Sequence, residues 1–177
     1  MIQESIESIL SADQLVARLG IKKDRFKAYQ RLLELSDEAL PAIRKGLRDD
    51  QIQIRKWCAM ILDQIADEDA LMDLIPLLTD PHPAVRLWAV HSISCDHCKE
   101  DVTCDVDLVP MLIERVQKDH NIRVRRMALI MMTTEFSDNR TIPIHYEILE
   151  KETDKKLVAH AHKGIERLKD KGILIRF

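Results

Sequence analysis

Three nine-residue stretches share one arrangement of apolar and polar positions: IRKWCAMIL at 54–62, VRLWAVHSI at 85–93 and VRRMALIMM at 124–132. On a helix started at the first residue of each, that residue and the fourth, seventh and eighth after it fall within about 100° of one another. The stripe reads Ile54, Cys58, Ile61, Leu62, then Val85, Ala89, Ser92, Ile93, then Val124, Ala128, Met131, Met132. Such a stripe must face a core. Ahead of each stands another apolar helical stretch: ALPAIRKGL at 39–47, ALMDLIPLL at 70–78 and DLVPMLIERV at 107–116. Between the two stretches an Asp always precedes an Arg by six residues, as in Asp49 and Arg55, Asp80 and Arg86, and Asp119 and Arg125. The repeating unit is therefore a first helix, a tight Asp-bearing turn and a second helix, the pattern of stacked helix pairs.

The first two copies are 31 residues apart and the next two 39, so eight extra residues lie before the third copy, around CDHCKEDVTCDVD. With the Leu/Ile-rich first helix containing Pro41, Pro76 or Pro110, the DPHPAVR turn and a small residue after the Arg (Cys58, Ala89, Ala128), the chain resembles the HEAT-repeat family, in particular its short PBS-lyase-like form. The clear resemblance covers residues 37–136. It implies an all-α fold, a right-handed α-α superhelix of about four to five helix pairs. The expected organisation is one domain over 1–177. An N-terminal capping unit spans 1–36, core repeats span 37–66, 67–106 and 107–138 with the Cys-containing insertion near 95–107, and a C-terminal capping unit spans 139–177. At the ends the motif weakens: Leu19 stands where the first Asp belongs, and Thr153 and Ala159 replace Asp and Arg in the last unit. The resemblance also implies that Asp49, Arg55, Asp80, Arg86, Asp119 and Arg125 form a structural ladder between successive turns.

A second face of the repeated helices, roughly 200° to 300° from the origin, holds Lys56, Trp57 and Met60 in one copy, Leu87, Trp88 and His91 in the next, and Arg126, Met127 and Ile130 in the third. By resemblance these residues line a concave wall. Trp57 and Trp88 are then expected one above the other, continued by Met127, with Lys56, His91 and Arg126 alongside. Trp, Met and Arg are enriched where proteins bind proteins. The alternative for the two Trp is a role in closing the seam between adjacent repeats, which their place at the border of the core stripe also allows.

Composition narrows the function classes. Aromatic residues make up only 4% of the chain and Gly occurs four times, which suits helices and leaves no phosphate-cradling loop, nucleophile elbow or dinucleotide fingerprint. We expect no catalytic residues. A net charge of −3 with mixed signs gives no overall field for nucleic acid, although residues 151–177 carry eight Lys/Arg against four Asp/Glu. No run approaches the ~20 apolar residues of a membrane span, and MIQESIESIL is unlike a secretory leader. The expected setting is the cytoplasm, and the expected state a monomer or weak oligomer.

Four Cys suit thiols rather than a disulfide framework. Cys95, Cys98 and Cys104, with His97 or His91 as fourth donor, make a subordinate zinc-site reading; otherwise no cofactor is expected. His160 and His162 are two apart on a helix and point in different directions, so they do not form a ligand pair. His82, just past the turn Asp80, is expected to face solvent.

Taken together, the residues favour a non-enzymatic scaffold or adaptor that holds a protein segment or peptide in its groove. Two alternatives stand beside it: a metal- or small-ligand-binding protein, bilin-lyase-like included, centred on the Cys cluster, and a nucleic-acid-binding HEAT-like protein.

Overall fold

The computed structural model describes residues 10–95, 105–136 and 138–174, and all regular structure among them is helical. The chain divides into two compact units between Cys104 and Asp105. The first holds three helix pairs among its described residues. α1 (Ala12–Arg18) pairs with α2 (Arg25–Leu35), α3 (Leu40–Gly46) with α4 (Ile52–Ile65), and the short α5 (Glu68–Met72) with its 3₁₀ continuation Ile75–Thr79 pairs with α6 (Pro83–Ser94). The second holds two pairs, α7 (Val109–Lys118) with α8 (Ile122–Thr134) and α9 (Ile142–Lys151) with α10 (Lys155–Asp170).

Like packs on like. In the first unit α1 lies on α3, while α2, α4 and α6 pack in succession, so first helices form one layer and second helices another. In the second unit α8 packs on both α7 and α10. The expected core stripes of α4, α6 and α8 are all buried, and so are Ala59, Val90 and Leu129, five residues after each stripe's origin. A second helix in the middle of a stack is covered on its flanks as well as beneath, which widens its apolar sector beyond that of a surface helix.

Proline placement decides the first helices. Pro41, Pro110 and Pro143 sit in the first turns of α3, α7 and α9, where a missing N–H costs nothing. Pro76 falls inside its apolar stretch, so the single helix expected over 70–78 divides into α5 and the 3₁₀ segment.

The six-residue spacing of Asp and Arg has a local cause. The Asp49, Asp80 and Asp119 carboxylates each accept a hydrogen bond from the backbone N–H two residues on, at Gln51, His82 and Asn121, over 2.8, 2.7 and 2.8 Å. Arg55 then donates back to the Asp49 carbonyl and Arg86 to the Asp80 carbonyl, each over 2.8 Å. Arg25 makes the same return to Leu19 O at 2.6 Å, which needs only backbone, so Leu19 serves although it is no Asp. The forward link is to the next turn: Arg55 donates to both carboxylate oxygens of Asp80. In the second unit Arg125 donates to Glu152 and to Val116 O. Glu152 also accepts from the N–H groups of Thr153 and Asp154, so it does the work of the Asp that Thr153 was aligned with.

Candidate interaction face

On the second-helix side of the first unit, Lys56, Trp57 and Met60 of α4 and Leu87, Trp88 and His91 of α6 are all half-buried. Trp57 meets the edge of Tyr29 from α2, ring centroids 5.2 Å apart, and Tyr29 stacks on Phe26 at 6.3 Å. Phe26 is 62% exposed. The Lys56 ammonium lies 5.1 Å and the Arg25 guanidinium 5.9 Å from the centre of the Trp57 ring, within cation–π range. Burial, with a smaller contribution from Arg25, pushes the Lys56 ammonium below its ordinary range. Among the described residues Lys56 has no carboxylate partner.

Trp57 turns its Nε1 inward, where that atom is buried and unbonded. Its ring therefore closes the seam between α2 and α4, and only part of it shows. Trp88 stands edge-on to His91, ring centroids 5.4 Å apart. The rings form two local clusters, Phe26–Tyr29–Trp57 and Trp88–His91, on the successive second helices α2, α4 and α6.

Below Trp88, His91 Nδ1 lies 3.0 Å from Oδ1 of Asp63, a residue of α4 that is only 6% exposed. Cys95, which ends α6, is buried beside them, and one donor atom from each of the three lies within 4.8 Å of the others. His97, Cys98 and Cys104 of the sequence-based zinc set lie outside the described residues. His82 is no free solvent-facing residue: its Nδ1 accepts from the N–H of Ala84 and caps α6.

In the second unit Arg126, Met127 and Ile130 of α8 are likewise half-buried. Arg126 is engaged within the unit: its guanidinium grips both carboxylate oxygens of Asp154 at the start of α10, Nε to Oδ1 being 2.9 Å. Asp154 also caps α10 by accepting from Leu157 N. The hydrogen bond from Arg126, then that from Leu157, holds the Asp154 carboxyl down at about 2.

Phe26, Tyr29 and Asp63 were not singled out from the sequence. Tyr29 occupies the position that is a buried aliphatic residue in later copies (Ala59, Val90, Leu129), and that exchange of a small or branched residue for a ring was the available signal. Asp63 lies opposite the core stripe of its own helix. Its burial comes from α6, so single-helix periodicity carries no sign of it.

The family model of HEAT repeats matches residues 40–102. No curated protein matches the chain. Among solved structures, the crystal structure of an engineered protein from the Northeast Structural Genomics Consortium is similar, with 18% identity and a TM-score of 0.56 over 90% of this chain and 79% of that one. At that identity the likeness concerns the fold alone. Residues 40–102 thus match HEAT repeats, and the described residues form an all-helical repeat fold that fits a helical solenoid.

Proposed function

We propose that the chain is a non-enzymatic protein-interaction scaffold, and that the second-helix face of its first unit holds a segment of a partner protein. The observation that carries this reading is the strip Phe26–Tyr29–Trp57 with Lys56 beside it. It sets part-exposed aromatic area next to an ammonium that no carboxylate of the described residues engages. Contiguous apolar area on a folded surface marks contact sites more often than isolated exposed side chains do. The matching segment has an apolar anchor for the aromatic strip and an acidic group for Lys56. Met60, Leu87 and Trp88 add packing surface beyond it on the same unit. A rigid stack of helix pairs suits such binding because little ordering entropy is lost on association.

A second concavity in the first unit, on the first-helix side, is lined by Asp37, Arg44, Lys45, Arg48, Asp67 and Asp73. Both of its arginines pair with one of its carboxylates, Arg44 to Asp73 at 2.6 Å and Arg48 to Asp73 at 2.8 Å. Its apolar lining is limited to Leu40 and Pro41, so it offers charge but no aromatic anchor. Among the described residues no helix is long and apolar enough to cross a membrane.

The test is site-specific photocrosslinking in host cells. A photoreactive residue at position 26 is expected to capture one protein in stoichiometric yield, while the same group at exposed Glu38, on the first-helix side, captures none. Equal capture from both positions, or none from position 26, contradicts the reading.

A further inference from the structure

We infer that Asp63, His91 and Cys95 form a binding site for a transition-metal ion of the zinc type. Three unlike donors converge: a carboxylate oxygen, an imidazole nitrogen and a sulfur, one atom of each lying within 4.8 Å of the others. Two come from one helix. His91 and Cys95 are four residues apart on α6, one turn above the other on the same face. The third comes from the preceding second helix, α4, which α6 packs against. Stacking of repeats, and not any contiguous motif, assembles the set.

The surroundings fix each donor. Cys95 caps the end of α6 with its backbone N–H donating to His91 O at 2.9 Å, so it lies one helical turn beyond His91. The Trp88 ring packs edge-on to His91 and limits rotation of the imidazole. His91 Nδ1, not Nε2, faces Asp63. Ligand bonds of ~2.0 Å to N or O and ~2.3 Å to S set tetrahedral donors ~3.5 Å apart, so small side-chain rotations within the cluster suffice to close on an ion.

Donor chemistry selects the ion. Sulfur and imidazole favour zinc and its neighbours over magnesium or calcium, which take oxygen alone. Three protein ligands leave one tetrahedral position for a fourth donor. Burial points the same way. Asp63 and Cys95 are only 6% and 7% exposed, so an ion held between them is shielded from bulk water. The other described thiol, Cys58, is sealed among core side chains, and burial pushes it far above its ordinary range, so it furnishes no competing thiolate.

The full chain, stripped with chelator under reducing conditions, tests this with cobalt(II) and zinc(II). The expected result is one ion per chain, a near-ultraviolet thiolate-to-cobalt charge-transfer band, bleaching of that band by zinc, and a zinc-dependent rise in melting temperature. Cys95→Ser is expected to abolish the band. Asp63→Asn, which keeps the side chain's shape, and His91→Gln are expected to weaken zinc binding at least about tenfold while the circular dichroism of the helices is retained. Sub-stoichiometric zinc in the wild-type chain overturns the inference, and so does a band that survives Cys95→Ser or affinity unchanged in Asp63→Asn. The wild-type stoichiometry and the Asp63→Asn affinity decide the matter even if Cys95→Ser does not fold.

Discussion

Arg55 holds Asp80 through two parallel hydrogen bonds, Nε to Oδ2 at 2.7 Å and Nη2 to Oδ1 at 3.1 Å, while its Nη1 reaches back 2.8 Å to the Asp49 carbonyl. One guanidinium thereby clamps the turn that begins its own helix to the turn of the next repeat. The side chains are 12% and 7% exposed, so the pair is largely out of water.

Breaking that pair leaves a buried charge behind. Arg55→Ala is expected to destabilise the chain by ~3 kcal/mol, and Arg55→Lys by nearly as much because a lysine cannot donate the parallel fork. Asp80→Asn retains an acceptor for the N–H of His82 and is expected to cost less than Asp80→Ala. Urea denaturation of the four variants, followed by helical circular dichroism, measures the order.

Trp57 is a seam residue with a partly visible face. Trp57→Ala is therefore expected to cost ~3 kcal/mol or more, as loss of a large packed ring does. Trp57→Phe removes the buried, unbonded Nε1–H along with some area, and the two effects oppose each other, so the loss is expected to be under half that of Ala. Thermal melts of the pair decide it.

His145 lies 1% exposed on α9 with its Nδ1 unbonded, and burial holds its imidazole down to about 4. In the unfolded chain the group titrates near its ordinary value of ~6.5. The unfolded state thus binds the proton first as pH falls, and stability declines from about pH 6.5 down to about pH 4, with nothing further from this group below that. The loss amounts to at most ~3 kcal/mol. Replacing His145 with Leu is expected to flatten the stability profile in that window, read by denaturation at stepped pH.

The same histidine explains a glycine. A Cβ on Gly164 of α10 would sit 2.2 Å from Cε1 of the His145 ring, so the two helices approach this closely only because residue 164 has no side chain. Gly164→Ala gains helix propensity yet is expected to lose ~1 to 3 kcal/mol through the clash. A rise in melting temperature would mean that His145 moves aside freely.

What could be read from the sequence was whatever one helix or one turn decides alone. The buried stripes of α4, α6 and α8 follow from spacing within each helix, and the Asp–Arg interval follows from a turn that the Arg side chain must span. The partners of Trp57, Trp88 and Arg126 depended on which neighbouring side chain reached them first, and no periodicity encodes that. Asp63 shows the limit most clearly: a carboxylate on the far side of its own helix becomes buried when the next repeat is laid upon it, and then meets His91 and Cys95. The division of the 70–78 stretch was legible in principle, since Pro76 lies a turn later than its counterparts relative to the following Arg.

The Phe26–Tyr29–Trp57 strip and Lys56 are proposed to receive a partner segment. The most direct measurement is calorimetric titration of the crosslinked partner's segment, once purified, into the wild-type chain and into Phe26→Ser and Lys56→Glu, two variants whose changes lie outside the buried core. Saturable binding at one site is expected, weakened at least about tenfold by each change, and weakened by added salt for the wild type more than for Lys56→Glu. Binding of equal strength to all three proteins would contradict that proposal.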